Sequence, residues 1–256
     1  MNLLTKLLAV YVVLTAASAY AEEYTFCYET WAPYAFVKDD KTTTGITVDF
    51  VREVIESLHH TATFKTCDSA VRGIDQAVTG KVTGVFFNTF DSELVGTMAP
   101  ATEYWLIAAL VKESSPEKKY TSMKMFEGKR TDQVIGYDYP EEVAAGLKNM
   151  KVTKVSTSTK LFARLDYGRI DVVFDDPIGA ATDSKKNNFK IRPLLPLIAK
   201  VPTGVFFGPK DKAFIATYVA KAKELAQSGA LDKIYKKHLG FTLKEYKTKY
   251  GITDAP

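Results

Sequence analysis

The feature that most constrains this chain is an alternation of short apolar strands with amphipathic helices, run through twice. Tyr24–Tyr28 reads as a first strand, followed by turn-forming residues. Val51, Val54, Ile55 and Leu58 repeat at i, i+3, i+4 and i+7, the spacing of one helix face. Ala62–Thr66 reads as a second strand, Arg72–Val78 as a helix stopped by Gly80, and Val82–Phe87 as a third strand. Strand–helix–strand order of this kind predicts a parallel sheet with helices on its faces.

Tyr104–Val111 is a long apolar run that leaves the first unit, and Ser114-Ser115-Pro116 makes a surface turn after it. A second alternation then begins. Val134–Tyr137, Val152–Val155, Ile170–Phe174 and Phe189–Ile191 are expected strands. Glu141–Leu147 and Lys160–Leu165 are expected helices, and Asp176-Pro177 opens a third. Val205–Phe207 carries the chain back. The expectation is an α/β fold of two parallel-sheet lobes. Residues 22–108 and 203–256 form lobe 1, and residues 109–202 form an inserted lobe 2. Crossings near Ala109 and Pro202 make a two-segment hinge. Ligands in such folds sit beyond the carboxyl ends of strands and in clefts between lobes.

The first 21 residues have the make-up of a secretory signal. Lys6 supplies the positive start, Leu7–Ala17 an apolar stretch too short to span a bilayer, and Ala19-Tyr20-Ala21 a small-x-small cleavage site. The chain is therefore expected to be exported. The formal net charge of +4 comes from lysines scattered among acids, which gives no basic patch for nucleic acid. The two cysteines, Cys27 and Cys67, lie on the first strand and at the end of the second. An even count in an exported chain favours a disulfide, with two separate buried thiols as the alternative.

Several stretches carry a resemblance to a known family. Glu224–Gly240, ELAQSGALDKIYKKHLG, places Leu231, Ile234, Tyr235 and Leu239 on one helix face. Its last turn is loaded with Lys236, Lys237 and His238, where positive charge suits the helix dipole. That order resembles the C-terminal signature of the family 3 extracellular solute-binding proteins. The opening segment resembles the family's too, with Trp31 and Pro33 followed by Gly45-x-x-x-Asp49. GIDQAVTGKVTGVFF and YGRIDVVFDDP resemble two further family segments, in the family's order. The resemblance implies a monomeric two-lobed receptor in the periplasm that delivers a small polar solute to an ABC permease, with no catalysis and no cofactor.

The binding positions depart from the family. Its amino-acid binders usually carry Thr-x-x-Arg after the third strand, where the arginine grips the ligand carboxylate. This chain reads Thr89-Phe90-Asp91-Ser92 there, and Tyr137-Asp138-Tyr139-Pro140 where the family often has Gly-Thr or Gly-Ser. Trp31 matches the aromatic that covers the ligand, or else packs in the lobe core. Arg72 stands at a helix start on the cleft edge and is a substitute carboxylate anchor, or a solvated rim charge. Asp176 aligns with the aspartate that holds the ligand's amino group, yet Asp before Pro177 is also an N-cap; Asp175 is the fallback contact. Glu29, Tyr34, Asn88, Thr89 and Asp138 complete the candidate ligand-binding set, at strand ends or in loops. With Asp176, the acids Glu29 and Asp138 would make a cleft suited to an amine-bearing ligand.

The histidines, His59, His60 and His238, all end helices and have no metal-ligand spacing, so no metal site is expected. No Gly-x-Ser-x-Gly, P-loop or dinucleotide fingerprint occurs. Two other readings share the fold. One is an enzyme resembling cyclohexadienyl dehydratase, with Glu29 or Asp176 moving a proton; the other is a ligand-sensing module with no transporter.

Overall fold

The computed structural model describes residues 21–67, 69–89 and 96–253. The expected signal segment, apart from Ala21, and the position of Ser92 lie outside them. The chain begins with β1 (Glu23–Tyr28) and a small hairpin of β2 (Phe36–Val37) and β3 (Thr43–Thr44). It continues through α1 (Ile46–Ser57), β4 (Thr61–Thr66), α2 (Ala70–Val78), β5 (Gly84–Thr89) and β6 (Thr97–Met98). β7 (Glu103–Lys112) leads to β8 (Arg130–Val134), α3 (Glu141–Leu147), β9 (Lys151–Val155), α4 (Ser158–Asp166), β10 (Val173–Asp175) and α5 (Pro177–Asn187). A long strand, β11 (Ile191–Phe207), returns the chain, and α6 (Lys212–Gln227), α7 (Ala230–Leu239) and α8 (Leu243–Tyr250) close it.

The central sheet has the order β10-β7-β11-β5-β1-β4, with β6 also on β11. β4, β1 and β5 are parallel, as the alternation predicts, and so are β8 and β9 in a separate pair. The remaining neighbours are antiparallel: β10 on β7, β7 on β11, and β11 on β5. The sheet is therefore mixed, because the chain leaves and re-enters the first unit on neighbouring strands running in opposite directions.

One apolar core joins Phe26, Phe50, Val54 and Phe207 to Phe214, Tyr218, Leu231 and Tyr235 of the closing helices. A second gathers Val143, Leu147 and Phe174 around β7, and a third packs Leu161, Phe162 and Leu165 of α4 on Val173. β7 serves both sides: Leu106 enters the first core, while Trp105, Ile107, Ala109 and Val111 enter the second.

Two stretches depart from the sequence reading. The strand expected over Val134–Tyr137 lies earlier, at β8, and ends before Gly136, whose φ of 90° turns the chain. The polar run Arg130-Thr131-Asp132 hid it. Thr131 and Asp132 are buried, and Asp132 is satisfied by the Arg164 guanidinium and the Thr153 hydroxyl. The strands expected at Phe189–Ile191 and Val205–Phe207 are the two ends of β11, whose interior prolines Pro193, Pro196 and Pro202 mask its continuity.

Cys27 and Cys67 form a disulfide, with Cα atoms 5.4 Å apart. The Cys67 N–H donates to the Tyr28 carbonyl at 2.8 Å, extending the β1–β4 register that brings the cysteines together. Helix α2 packs directly over the bond. A Cβ at Gly73 would lie 3.0 Å from Cys67 Sγ and 2.6 Å from Val85 Cγ2, so only glycine allows this approach.

A carboxyl group is buried where β7 begins. Glu103 is 0% exposed and takes hydroxyl bonds from Thr102, from Thr47 of α1 and, at 2.8 Å, from Thr203 of β11. Burial outweighs these three donors and pushes the carboxyl from 4.5 to about 7. Between those two values the folded chain holds a proton that the unfolded chain has lost. The stability from this group is thus fully present below about pH 4.5 and is lost as pH rises through about 7, a fall on the order of 3 kcal/mol. Glu103→Gln should flatten that part of the stability profile in denaturant melts at stepped pH. Identical slopes in the two proteins would contradict the assignment.

Candidate functional site

A cavity of about 170 Å³ opens at the seam between the cores, beside β7 and β11. Its walls come from both units. Glu29 and Trp31 follow β1, Ala70 and Ile74 open α2, and Val85–Thr89 belong to β5. From the other side come Trp105 of β7, the turn Gly136-Tyr137-Asp138 after β8, and Asp175 at the end of β10; Thr203 of β11 lines it as well. Most of these positions lie at or just beyond the carboxyl ends of strands, where α/β sheets place ligands.

The backbone of β5 is distorted to make this wall. Its register with β11 slips between Gly204 and Phe206, so one extra residue bulges from β5. Phe87 sits in that bulge at a φ of 64°, which a phenylalanine rarely adopts. Asn88 holds the bulge: its Nδ2 donates to the carbonyls of Val85 at 3.1 Å and Phe86 at 3.0 Å. The Phe87 ring meets Trp31 edge-on, with centroids 4.9 Å apart.

Of the candidate residues, Glu29, Trp31, Asn88, Thr89, Asp138 and Asp175 line the cavity. Glu29 is half-buried. Its Oε1 accepts the Ala70 N–H at 3.1 Å, and burial raises its pKa against that bond. Trp31 donates from Nε1 to Asp176 Oδ2 at 3.1 Å, which ties the first unit to α5 of the second. Gly179 makes room for this contact, since a Cβ there would stand 2.9 Å from Trp31 Nε1.

Arg72, Asp176 and Tyr34 are not part of the lining. Arg72 is exposed on the first turn of α2, because that face of the helix points away from the sheet. Asp176 is buried and acts as N-cap of α5, accepting from Ile178 N and Gly179 N at 3.1 and 3.0 Å. With Trp31 added, both of its oxygens are engaged. Burial pushes Asp176 to about 7 despite the two N–H donors, and the neighbouring Asp175 charge adds to the rise. Tyr34 is an apolar core residue, 4.4 Å from the Trp31 ring and 3.5 Å hydroxyl to hydroxyl from Tyr246.

Trp105, Tyr137 and Phe87 were not singled out as contacts from sequence. Trp105 donates from Nε1 to Asp175 Oδ1 at 3.0 Å and meets Tyr137 edge-on at 5.4 Å. One signal did point to it: the chain has only two tryptophans, and Trp105 opens the run that leaves the first unit. Nothing in the sequence marks the Phe87 bulge. Among the described residues, no group of three or more His, Cys, Asp or Glu is arranged to hold a metal ion.

The Asp176 cap can be separated from its charge. Asp176→Asn and Asp176→Ala both remove the carboxylate, but only Asn keeps a capping oxygen. Guanidinium melts should find the Ala variant about 1 kcal/mol less stable than the Asn variant. Equal midpoints would remove the capping account.

No family model matches the chain. The L-cystine-binding protein TcyJ of Escherichia coli strain K12 is 23% identical over 217 residues, covering 82% of this chain and 80% of that protein. Among solved structures, the substrate-binding protein of an amino acid ABC transporter superposes with a TM-score of 0.73 at 22% identity, over 85% of this chain and 99% of that one. A histidine kinase sensor domain with similarity to periplasmic binding proteins gives 0.76 at 16% identity, over 86% and 97%. The fold is that of the two-lobed periplasmic binding proteins, and together with the homology to TcyJ it supports a family 3 extracellular solute-binding protein.

Proposed function

We propose that this protein is a periplasmic solute-binding protein that captures a small polar solute between its lobes and delivers it to an ABC importer. The observation that carries this reading is a cavity walled from both units, at a seam crossed by only two long strands. In this reading residues 22–108 and 203–256 are lobe 1 and residues 109–202 are lobe 2. The lobes close on the solute by bending at the two crossings. Trp31, Glu29, Asn88, Thr89, Asp138 and Asp175 supply the contacts, joined by Trp105 and Tyr137. Tyr34 and Asp176 support the walls from outside, and Arg72 lies on the exposed surface of α2. The chain acts as a monomer without catalysis, and its partner is a permease in the inner membrane.

The similarity to a kinase sensor domain favours a second reading, in which the same closure is reported to a signalling partner. The two readings share the ligand site and differ in what recognises the closed form. Co-purification of the liganded protein with a permease, or its absence, separates them.

A thermal-shift screen of the mature chain against millimolar amino acids, amines, carboxylates and sugars tests the binding role. A ligand about 1,000-fold above its Kd stabilises by roughly 4 kcal/mol. At about 2–4 °C per kcal/mol, the shift is easily read. Trp31→Ala should abolish it. Silence across the whole panel would contradict the binding role, and an unchanged shift in Trp31→Ala would remove that ring from the site.

A further inference from the structure

The cavity is acidic and aromatic at once. Glu29, Asp138 and Asp175 line it, and no lysine, arginine or histidine does among the described residues. A ligand carboxylate would therefore meet three acids and no cation in this wall.

An acidic wall alone is not a site, but Asp175 adds an independent observation. It is 2% exposed, and its Oδ1 accepts from Trp105 Nε1 at 3.0 Å and from the Asp176 N–H at 2.8 Å. Its Oδ2 is buried and accepts no hydrogen bond. The Ser158 hydroxyl stands near enough to favour the charged form, but it makes no hydrogen bond to Oδ2 and pairs with the Tyr137 hydroxyl at 3.3 Å. A buried carboxylate oxygen without a donor is costly. Burial accordingly raises the Asp175 pKa even against the donors on Oδ1. Around it stand Trp31, Trp105 and Tyr137, whose ring faces attract cations.

We propose that the cavity binds an organic amine cation that lacks a carboxylate, with an ammonium or guanidinium N–H donated to Asp175 Oδ2 and the cation held against the aromatic walls. This rests on the solute-binding reading and names its ligand class. One bound N–H would satisfy the oxygen left without a partner, and the positive charge would offset the three acids. An α-amino acid brings a carboxylate that this wall repels.

The test is isothermal titration with five probes: putrescine and agmatine as amine cations, cystine as a zwitterion, succinate as an anion, and tetramethylammonium as a cation with no N–H. Putrescine or agmatine should bind saturably, and more tightly than the other three. Asp175→Asn should weaken that binding by at least about tenfold, because the charge and its charge-assisted bond are both lost. Glu23→Gln, an exposed change far along β1, should leave it unaltered. If Asp175→Asn fails to fold, Asp138→Asn on the same wall is read instead, with a loss of at least about threefold expected from charge alone. Unchanged amine affinity in the variant overturns the proposal. So does binding of cystine or succinate with the amines silent, although the solute-binding role then stands. Silence of all five probes overturns the proposal, while the solute-binding role is decided by the wider thermal-shift panel.

Discussion

The antiparallel pairing of β7 with β11 is the constraint on which the rest of the molecule depends. Thr203 pairs with Glu103 and Val201 with Trp105 at one end, and Ile191 pairs with Lys112 at the other. The register slips once, between Leu194 and Ala199. This one ribbon gives side chains to the first core and to the second, so both units are built on the same two strands. It also delivers Trp105 and Thr203 to the cavity between them. A seam made of two strands resists shear through its ladder of hydrogen bonds but leaves bending easier than separation, which would suit the proposed closure on a solute.

Three buried carboxyls cluster along this seam, and their different surroundings give them different roles. Glu103 is enclosed by three threonine hydroxyls and is not itself part of the cavity lining, though Thr203 is. Asp176 spends both oxygens on capping α5 and on Trp31, and so joins the units. Asp175 alone lines the cavity and keeps an oxygen unused. The rise in pKa is common to all three, since burial disfavours each charge. What sets Asp175 apart from the other two is that one of its oxygens has no donor, whereas both oxygens of Glu103 and of Asp176 are engaged.

The fold was legible in the sequence because the residues that carry the resemblance fasten the structure. Gly45 has a φ of 133°, and a Cβ there would lie 2.2 Å from the Tyr34 carbonyl oxygen. Asp49 Oδ2 binds Lys237 and His238, each at 2.7 Å, and so clasps α7 onto α1. Burial opposes the Asp49 charge, yet these two partners outweigh it and hold the carboxyl well below the usual range. His238 is therefore more than a complement to the helix dipole. The opening motif and the C-terminal motif are two halves of one contact. The site was less legible. Asp176, expected as a ligand contact, is engaged by its cap and by Trp31, and Arg72 is exposed on α2 outside the lining. Trp105 reaches the cavity through the β7–β11 pairing, Tyr137 through the turn at Gly136, and Phe87 through a bulge. Such placements arise from tertiary packing, which leaves no periodic mark in the chain.

Both tryptophans of the chain, Trp31 and Trp105, line the cavity, so tryptophan emission, excited selectively over that of the tyrosines, reports on this site. The most direct test of an interlobe solute site is a fluorescence titration with any compound that stabilises the fold. A saturable, one-to-one change in tryptophan emission, with the same Kd as the stabilisation, is the predicted result. A compound that stabilises the protein while the emission stays unaltered would bind elsewhere and contradict the account.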